Sequence, residues 1–155
     1  MDLAHETQKL IDSRLLRTEQ EIQQFEQAIV NIVGMKKAEH IKHLCLGFDD
    51  STECDEVMFG LIHAIESYDK VFGAEESLKN FAESLPSMLP HAKGWVKILH
   101  KRILNDAPSR KAYAKVVSKV DVNVKNLVVQ IINEIKEKNP GRFEASALEF
   151  LSSIK

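Results

Sequence analysis

At 155 residues, with a formal net charge of -2, 44% apolar and 28% charged residues, the chain has ordinary globular composition and enough length to bury a core without disulfides or metal. No run of about eighteen apolar residues occurs, and the first residues mix acids and bases without an apolar stretch, so neither membrane insertion nor export is expected and the location reads as cytoplasmic. Cys45 and Cys54 have no CxxC or Cys/His ligand spacing and read as reduced thiols.

Apolar residues recur at spacings of three and four through most of the chain, which predicts seven or eight short antiparallel helices. The first covers 3–16. Thr18 and Glu21 form a capping-box pattern that opens a second helix, on which Ile22, Phe25, Ile29 and Ile32 share a face and which Gly34 can end. A short helix containing Ile41, Leu44 and Cys45 follows. Thr52 and Asp55 repeat the start signal for a helix reaching Tyr68. Further helices are expected over 74–84, 91–104, 108–119, 122–138 and 142–154, bounded by Pro86, Pro90, Pro108 and the Pro140-Gly141 pair. The β-branched content of 126–135 suggests a strand, but its length and the 127, 128, 131, 132, 135 spacing favour a helix buried on several sides. The fold expected is a single all-α domain over 1–155, arranged as a HEAT-like α-solenoid with degenerate repeats or as an irregular helical bundle.

The near-neutral total hides a separation of charge along the chain. Residues 49–83 carry ten acids, Asp49, Asp50, Glu53, Asp55, Glu56, Glu66, Asp69, Glu75, Glu76 and Glu83, against Lys70 and Lys79. Residues 91–125 carry nine bases against Asp106 and Asp121. On a 100° wheel Val57, Leu61, Ile65 and Tyr68 form an apolar stripe, with Met58 and Ile62 extending it. Asp55, Phe59 and Glu66 fall together on another side, so the helix presents an acidic edge containing an aromatic. Capping explains some of these acids, because carboxylates suit the positive end of a helix dipole. Ten acids exceed what capping requires, and a concentrated carboxylate surface imitates a phosphate backbone and steers association with a basic cleft.

Enzyme signatures are missing: there is no GxSxG, P-loop, GxGxxG, HExxH or Glu-x-x-His pair. His40 and His43 form an HxxH without a third ligand. Asp49, Ser51 and Glu53 resemble the start of a calcium loop, but Cys54 and Gly60 stand where Gly and Glu are required. No metal, cofactor or small-molecule substrate is therefore expected. Two lysine ridges, Lys93, Lys97, Lys101 and Lys111, Lys115, Lys119, lack the interleaved aromatics and arginine forks of a nucleic-acid surface, and no direct nucleic-acid binding is expected. Trp95 lies in the apolar arc of its helix and reads as core.

The segments GFDDSTECDEVMFGLIHAIESYD (47–69) and GWVKILHKRILN (94–105) resemble the signature regions of the immunity protein 30 family, all-helical proteins encoded beside toxin genes in bacterial polymorphic toxin and contact-dependent growth inhibition systems. The resemblance rests mainly on Asp49-Asp50, the run from Glu56 to His63, and Trp95 to Asn105. It implies a cytoplasmic, non-enzymatic antitoxin that binds one cognate toxin C-terminal domain in a 1:1 heterodimer. Such toxins are often nucleases, which suits the acidic window. The reading is inhibition of a nuclease, an RNase rather than a DNase, by occlusion of its basic cleft, with Asp49, Asp50, Glu53, Asp55, Glu56, Phe59, Glu66 and Asp69 as the partner-binding residues. The alternative is a helical-repeat adaptor or an anion-binding module using the lysine ridges.

Overall fold

The computed structural model of the protein describes residues 2–154; Met1 and Lys155, the two ends of the expected domain, lie outside the described residues. Among the described residues all regular structure is helical: α1 (Leu3–Ser13), α2 (Glu19–Gly34), α3 (Ile41–Leu44), α4 (Asp55–Glu66), α5 (Tyr68–Phe72), α6 (Ala74–Met88), α7 (Lys93–Leu104), α8 (Ala107–Val117), α9 (Val122–Lys138) and α10 (Pro140–Ser153), with single 3-10 turns on either side of α3. The all-α expectation holds. The eight longer helices run from 11 to 17 residues and match the expected seven or eight, while α3 and α5 are short additional turns.

Several starts follow directly from local chemistry. Asp2 caps α1 by accepting the Ala4 N–H, and Thr18 Oγ1 accepts the Glu21 N–H at 3.1 Å. The reciprocal half of the capping box is diverted, because the Glu21 carboxylate takes the Arg17 N–H and guanidinium. Asp106, followed by Pro108 in the first turn, opens α8, and Asp121 opens α9.

Helix α1 stops at Ser13, short of the expected 3–16, and α4 and α6 also differ from the sequence reading. Helix α4 begins at Asp55 with Cys54, not Thr52, in the cap position, and just before it the Glu53 N–H donates 2.8 Å to the Leu15 carbonyl. Helix α2 ends at Gly34 as expected, and the chain turns away just beyond it through Lys36 in the left-handed region (φ 57). Helix α6 continues through Pro86 to Met88. Pro86 is exposed and, having no N–H, forfeits one bond to the Ala82 carbonyl, while Leu85 and Met88 are fully buried, so continuing the helix keeps two buried side chains at the cost of one hydrogen bond. The ambiguous 126–135 stretch lies inside α9, with Val128, Ile131, Ile132 and Ile135 buried.

Helices α1 and α2 form a hairpin at one side, and α6 packs against α3, α5, α7, α8 and α9. The α9–α10 pair closes over α7 and α8. The apolar core runs from Leu10 and Phe25 through Leu44, Phe48 and Leu61 to Leu85, Tyr113 and Phe150. Within it His100 and Tyr113 are both wholly buried. The Val96 carbonyl can only accept, so His100 Nδ1 donates to it at 2.7 Å, and Nε2 is left to accept the Tyr113 hydroxyl at 2.8 Å. Burial drives the imidazole down to about 4, with the Val96 carbonyl opposing, so the ring is neutral and structural. Burial likewise pushes the Cys45 thiol up to about 12 against a hydrogen bond from Ser84, and both cysteines are free. Among the described residues no helix is long and apolar enough to cross a membrane, and no group of three His, Cys, Asp or Glu side chains is placed to hold a metal ion.

Candidate partner-binding surface

The acidic segment leaves the short turn after α3 at Phe48 and reaches α4 at Asp55 through an irregular loop. Such a loop has to satisfy its backbone polar groups outside a helical ladder. Here the solution joins three parts of the chain. The Asp50 N–H donates to the His91 carbonyl at 2.9 Å, and the Glu53 N–H to the Leu15 carbonyl. The Trp95 indole N–H donates to the Asp49 carbonyl at 3.2 Å.

Asp50 has a second task. Helix α7 starts with Ala92 in the cap position, which has no side-chain oxygen to offer. The Asp50 carboxylate supplies it from the distant loop: Oδ2 accepts the Gly94 N–H at 2.9 Å and Oδ1 the Trp95 N–H at 3.3 Å. Residue 94 lacks a side chain for a geometric reason, since a Cβ there would lie 2.9 Å from Asp50 Oδ1. Asp49 is engaged as well. Its Oδ1 accepts the Ser51 N–H at 2.8 Å, and its Oδ2 pairs with Arg14 Nε at 3.2 Å. Arg14 in turn donates to the Leu46 carbonyl at 3.0 Å. Both members of the Asp49-Asp50 pair are therefore holding the loop to α1 and α7.

The remaining expected contact residues fall into two groups. Glu53, Asp55 and Glu56 are exposed and make no ion pair among the described residues. Phe59, one turn along α4, is 37% exposed and meets Trp95 edge-on at 5.5 Å, while Trp95 itself is core as expected and also packs on Phe48. One end of the Phe59 ring is thus fixed and the other faces solvent.

Glu66 and Asp69 lie further along, at an open cleft of about 440 Å³ between α4–α5, α6 and α7. Glu66 is clamped by Arg102, whose Nε and Nη2 each donate at 2.8 Å to a different carboxylate oxygen. Asp69 makes no ion pair among the described residues. Burial pushes its carboxyl above the usual carboxylate range, Glu66 and Asp106 add to the shift, and the nearby Ser77 hydroxyl opposes it. Ser77 Oγ lies beside that carboxylate, is buried, and makes no hydrogen bond of ordinary geometry among the described residues.

The lysine ridges are partly occupied. Lys93 and Lys97 both reach Glu134 Oε1 of α9 at 3.0 Å, an arrangement that lowers the Glu134 carboxyl to about 2 through hydrogen bonds from the two ammonium groups. Lys115 faces Glu75 at 3.7 Å. HxxH is likewise accounted for: His43 Nδ1 is 3.1 Å from Thr7 Oγ1, and its ring meets His40 edge-on. The residues that sequence reasoning did not single out are Arg14, Gly94, Ser77, Arg102 and Asp106. Gly94 sat inside a recognised motif, but the side chain that requires it is 44 residues upstream.

Residues 12–113 match the sequence model of the family described as Immunity protein 30. The matched span takes in Arg14, the whole acidic loop, Gly94-Trp95, Arg102 and Asp106, and it stops at Tyr113, before α9 and α10. No curated protein and no solved structure matches the chain significantly.

Proposed function

The chain belongs to the immunity protein 30 family, and from that premise we propose that it neutralises a cognate contact-dependent growth inhibition toxin, a nuclease acting on RNA, by covering the basic substrate cleft of the toxin with its acidic loop and the first turns of α4. The observation that carries this reading is the placement of Glu53, Asp55 and Glu56. Three carboxylates stand exposed, with no ion pair among the described residues, on a loop and the helix start it leads into, and the loop's backbone and other acids are tied down. Phosphate-like charge carried on a backbone of fixed geometry complements a nuclease cleft and spares the cost of ordering the loop on binding.

Within this reading Asp49 and Asp50 act through the loop they hold, Glu53, Asp55, Glu56 and Phe59 form the contact, and Glu66 and Asp69 extend it. The protein acts in the cytoplasm as a non-enzymatic 1:1 partner. The anion-binding alternative is weakened by the Lys93–Glu134–Lys97 cluster, which spends two of the ridge charges internally. The deciding experiment mixes the chain with the toxin domain encoded beside it and follows RNA cleavage. Equimolar chain is expected to stop cleavage; undiminished cleavage with the chain in excess would sink the reading.

A further inference from the structure

The cleft beside Arg102 is built for a positive charge that the protein does not provide. Glu66 from the end of α4, Asp69 from α5 and Asp106 from the start of α8 all line it, against the lining guanidinium of Arg102 and the more distant influence of Arg110 on Asp106. That guanidinium is committed to Glu66 by two 2.8 Å bonds. Asp106 is held by Ser109, whose N–H and hydroxyl it accepts. Asp69 is left without an ion pair among the described residues. Ser77, only 3% exposed, presents to the same cleft a hydroxyl with no hydrogen-bond partner. A hydroxyl left unpaired among the described residues at such depth is costly, and beside the half-buried, unpaired Asp69 carboxylate its retention points to a ligand that completes both.

The chemistry of that ligand follows from the lining. Anions are repelled by three carboxylates. A bare metal ion is disfavoured, since the acids are not grouped closely enough to share one. The floor is apolar, formed by Leu78, Phe81 and Ile103, so the fitting group has a hydrocarbon stem and a cationic head. We propose that the cleft receives a lysine or arginine side chain of the toxin, its stem on this floor and its head between Asp69 and Asp106. The identity of the donor protein rests on the immunity reading; the chemistry of the cleft does not.

The position agrees with one continuous interface. Asp55, Phe59 and Glu66 share one side of α4, and the eleven steps from Asp55 to Glu66 span roughly 16 Å at the helical rise. A standard interface, with about 800 Å² per partner, covers both ends.

The test has two arms. In the first, ¹⁵N-labelled chain is titrated with N-acetyl-lysine methylamide and N-acetyl-arginine methylamide, with the neutral norleucine analogue as control. Saturable shifts at the amides of Asp69, Ser77 and Ser109 are expected with at least one cationic probe, none with norleucine, and none in Asp69→Asn. Absence of saturation by both cationic probes, or equal shifts with norleucine, overturns the proposal, as does putrescine binding where the amino-acid amides do not, which would mark a free-amine site. In the second, Asp69→Asn is assayed against the toxin domain and is expected to dissociate about tenfold faster or more. Unchanged dissociation overturns the cleft proposal while wild-type neutralisation leaves the immunity reading standing; failure of wild type to neutralise overturns that reading separately from the probe arm.

Discussion

Asp50 and Gly94 are two halves of one joint: the carboxylate accepts the glycine N–H at 2.9 Å, and only the missing Cβ lets it come so close. Removing the carboxylate strips α7 of its cap, so Asp50→Ala should lower unfolding free energy by about 1–2 kcal/mol in urea titrations. Gly94→Ala displaces the same carboxylate and should cost about 1 kcal/mol in the wild-type background. With Asp50→Ala already present, the better helix propensity of alanine should make Gly94→Ala stabilising by several tenths of a kcal/mol. A change of sign between backgrounds is the signature; simple additivity would contradict the joint.

Neutralising Glu53, Asp55 and Glu56 together, to Gln, Asn and Gln, should slow association with the toxin domain about tenfold or more at low salt. The difference from wild type should shrink as salt screens the surface charge. Stopped-flow association at several ionic strengths checks this, and equal rates at low salt would remove the acidic surface from the mechanism. Melting should change little, since the acids contribute to the fold only through the first turn of α4.

Buried His100 makes stability depend on pH with a defined sign. Its folded pKa of about 4 lies below the 6.5 of a free imidazole, so the unfolded chain takes up the proton first as pH falls. Its contribution is fully present above about 6.5, declines toward 4 and is flat below. The loss approaches roughly 3 kcal/mol at most. Urea unfolding at pH 7 and pH 5 should show the decline, and His100→Gln should flatten it. Tyr113→Phe, which leaves Nε2 of His100 without its donor, should cost about 1–3 kcal/mol at pH 7.

Asp69 carries the opposite sign. Its folded pKa is raised above the 3.8 of a free aspartate, so the folded chain binds the proton more tightly and stability falls as pH rises through the folded pKa. Asp69→Asn removes that penalty and should raise Tm at pH 7, with the gain vanishing below the unfolded pKa. A variant that folds better yet lets go of the toxin faster would separate a site residue from a scaffold residue. Unchanged Tm at neutral pH would contradict the burial of its charge.

The helices were legible because their apolar spacing repeats over several turns, as on α9, where Ile131, Ile132 and Ile135 all reach the core. The loop was not, since its bonds join Asp50 to Gly94, Asp49 to Arg14 and Glu53 to Leu15 across long sequence separations. Charge counting found the acidic surface but could not tell a capping carboxylate from a free one. Asp50 and Asp55 look alike in the sequence; a helix end packed beside Asp50 distinguishes them. The cleft was partly visible through Glu66 and Asp69, yet Ser77 carried no signal, because a serine on a helix says nothing of what its hydroxyl lacks.

The frame of the acidic loop and what it displays are made of different atoms. Asp49, Asp50, Arg14 and the Trp95 indole hold the loop largely through main-chain groups, whereas the side chains of Glu53, Asp55 and Glu56 take part in none of those bonds. The displayed side chains are thus exchangeable at little structural cost. If these side chains make the contact proposed above, a chain built this way would be re-keyed to a different toxin by a few surface substitutions, leaving the holder intact.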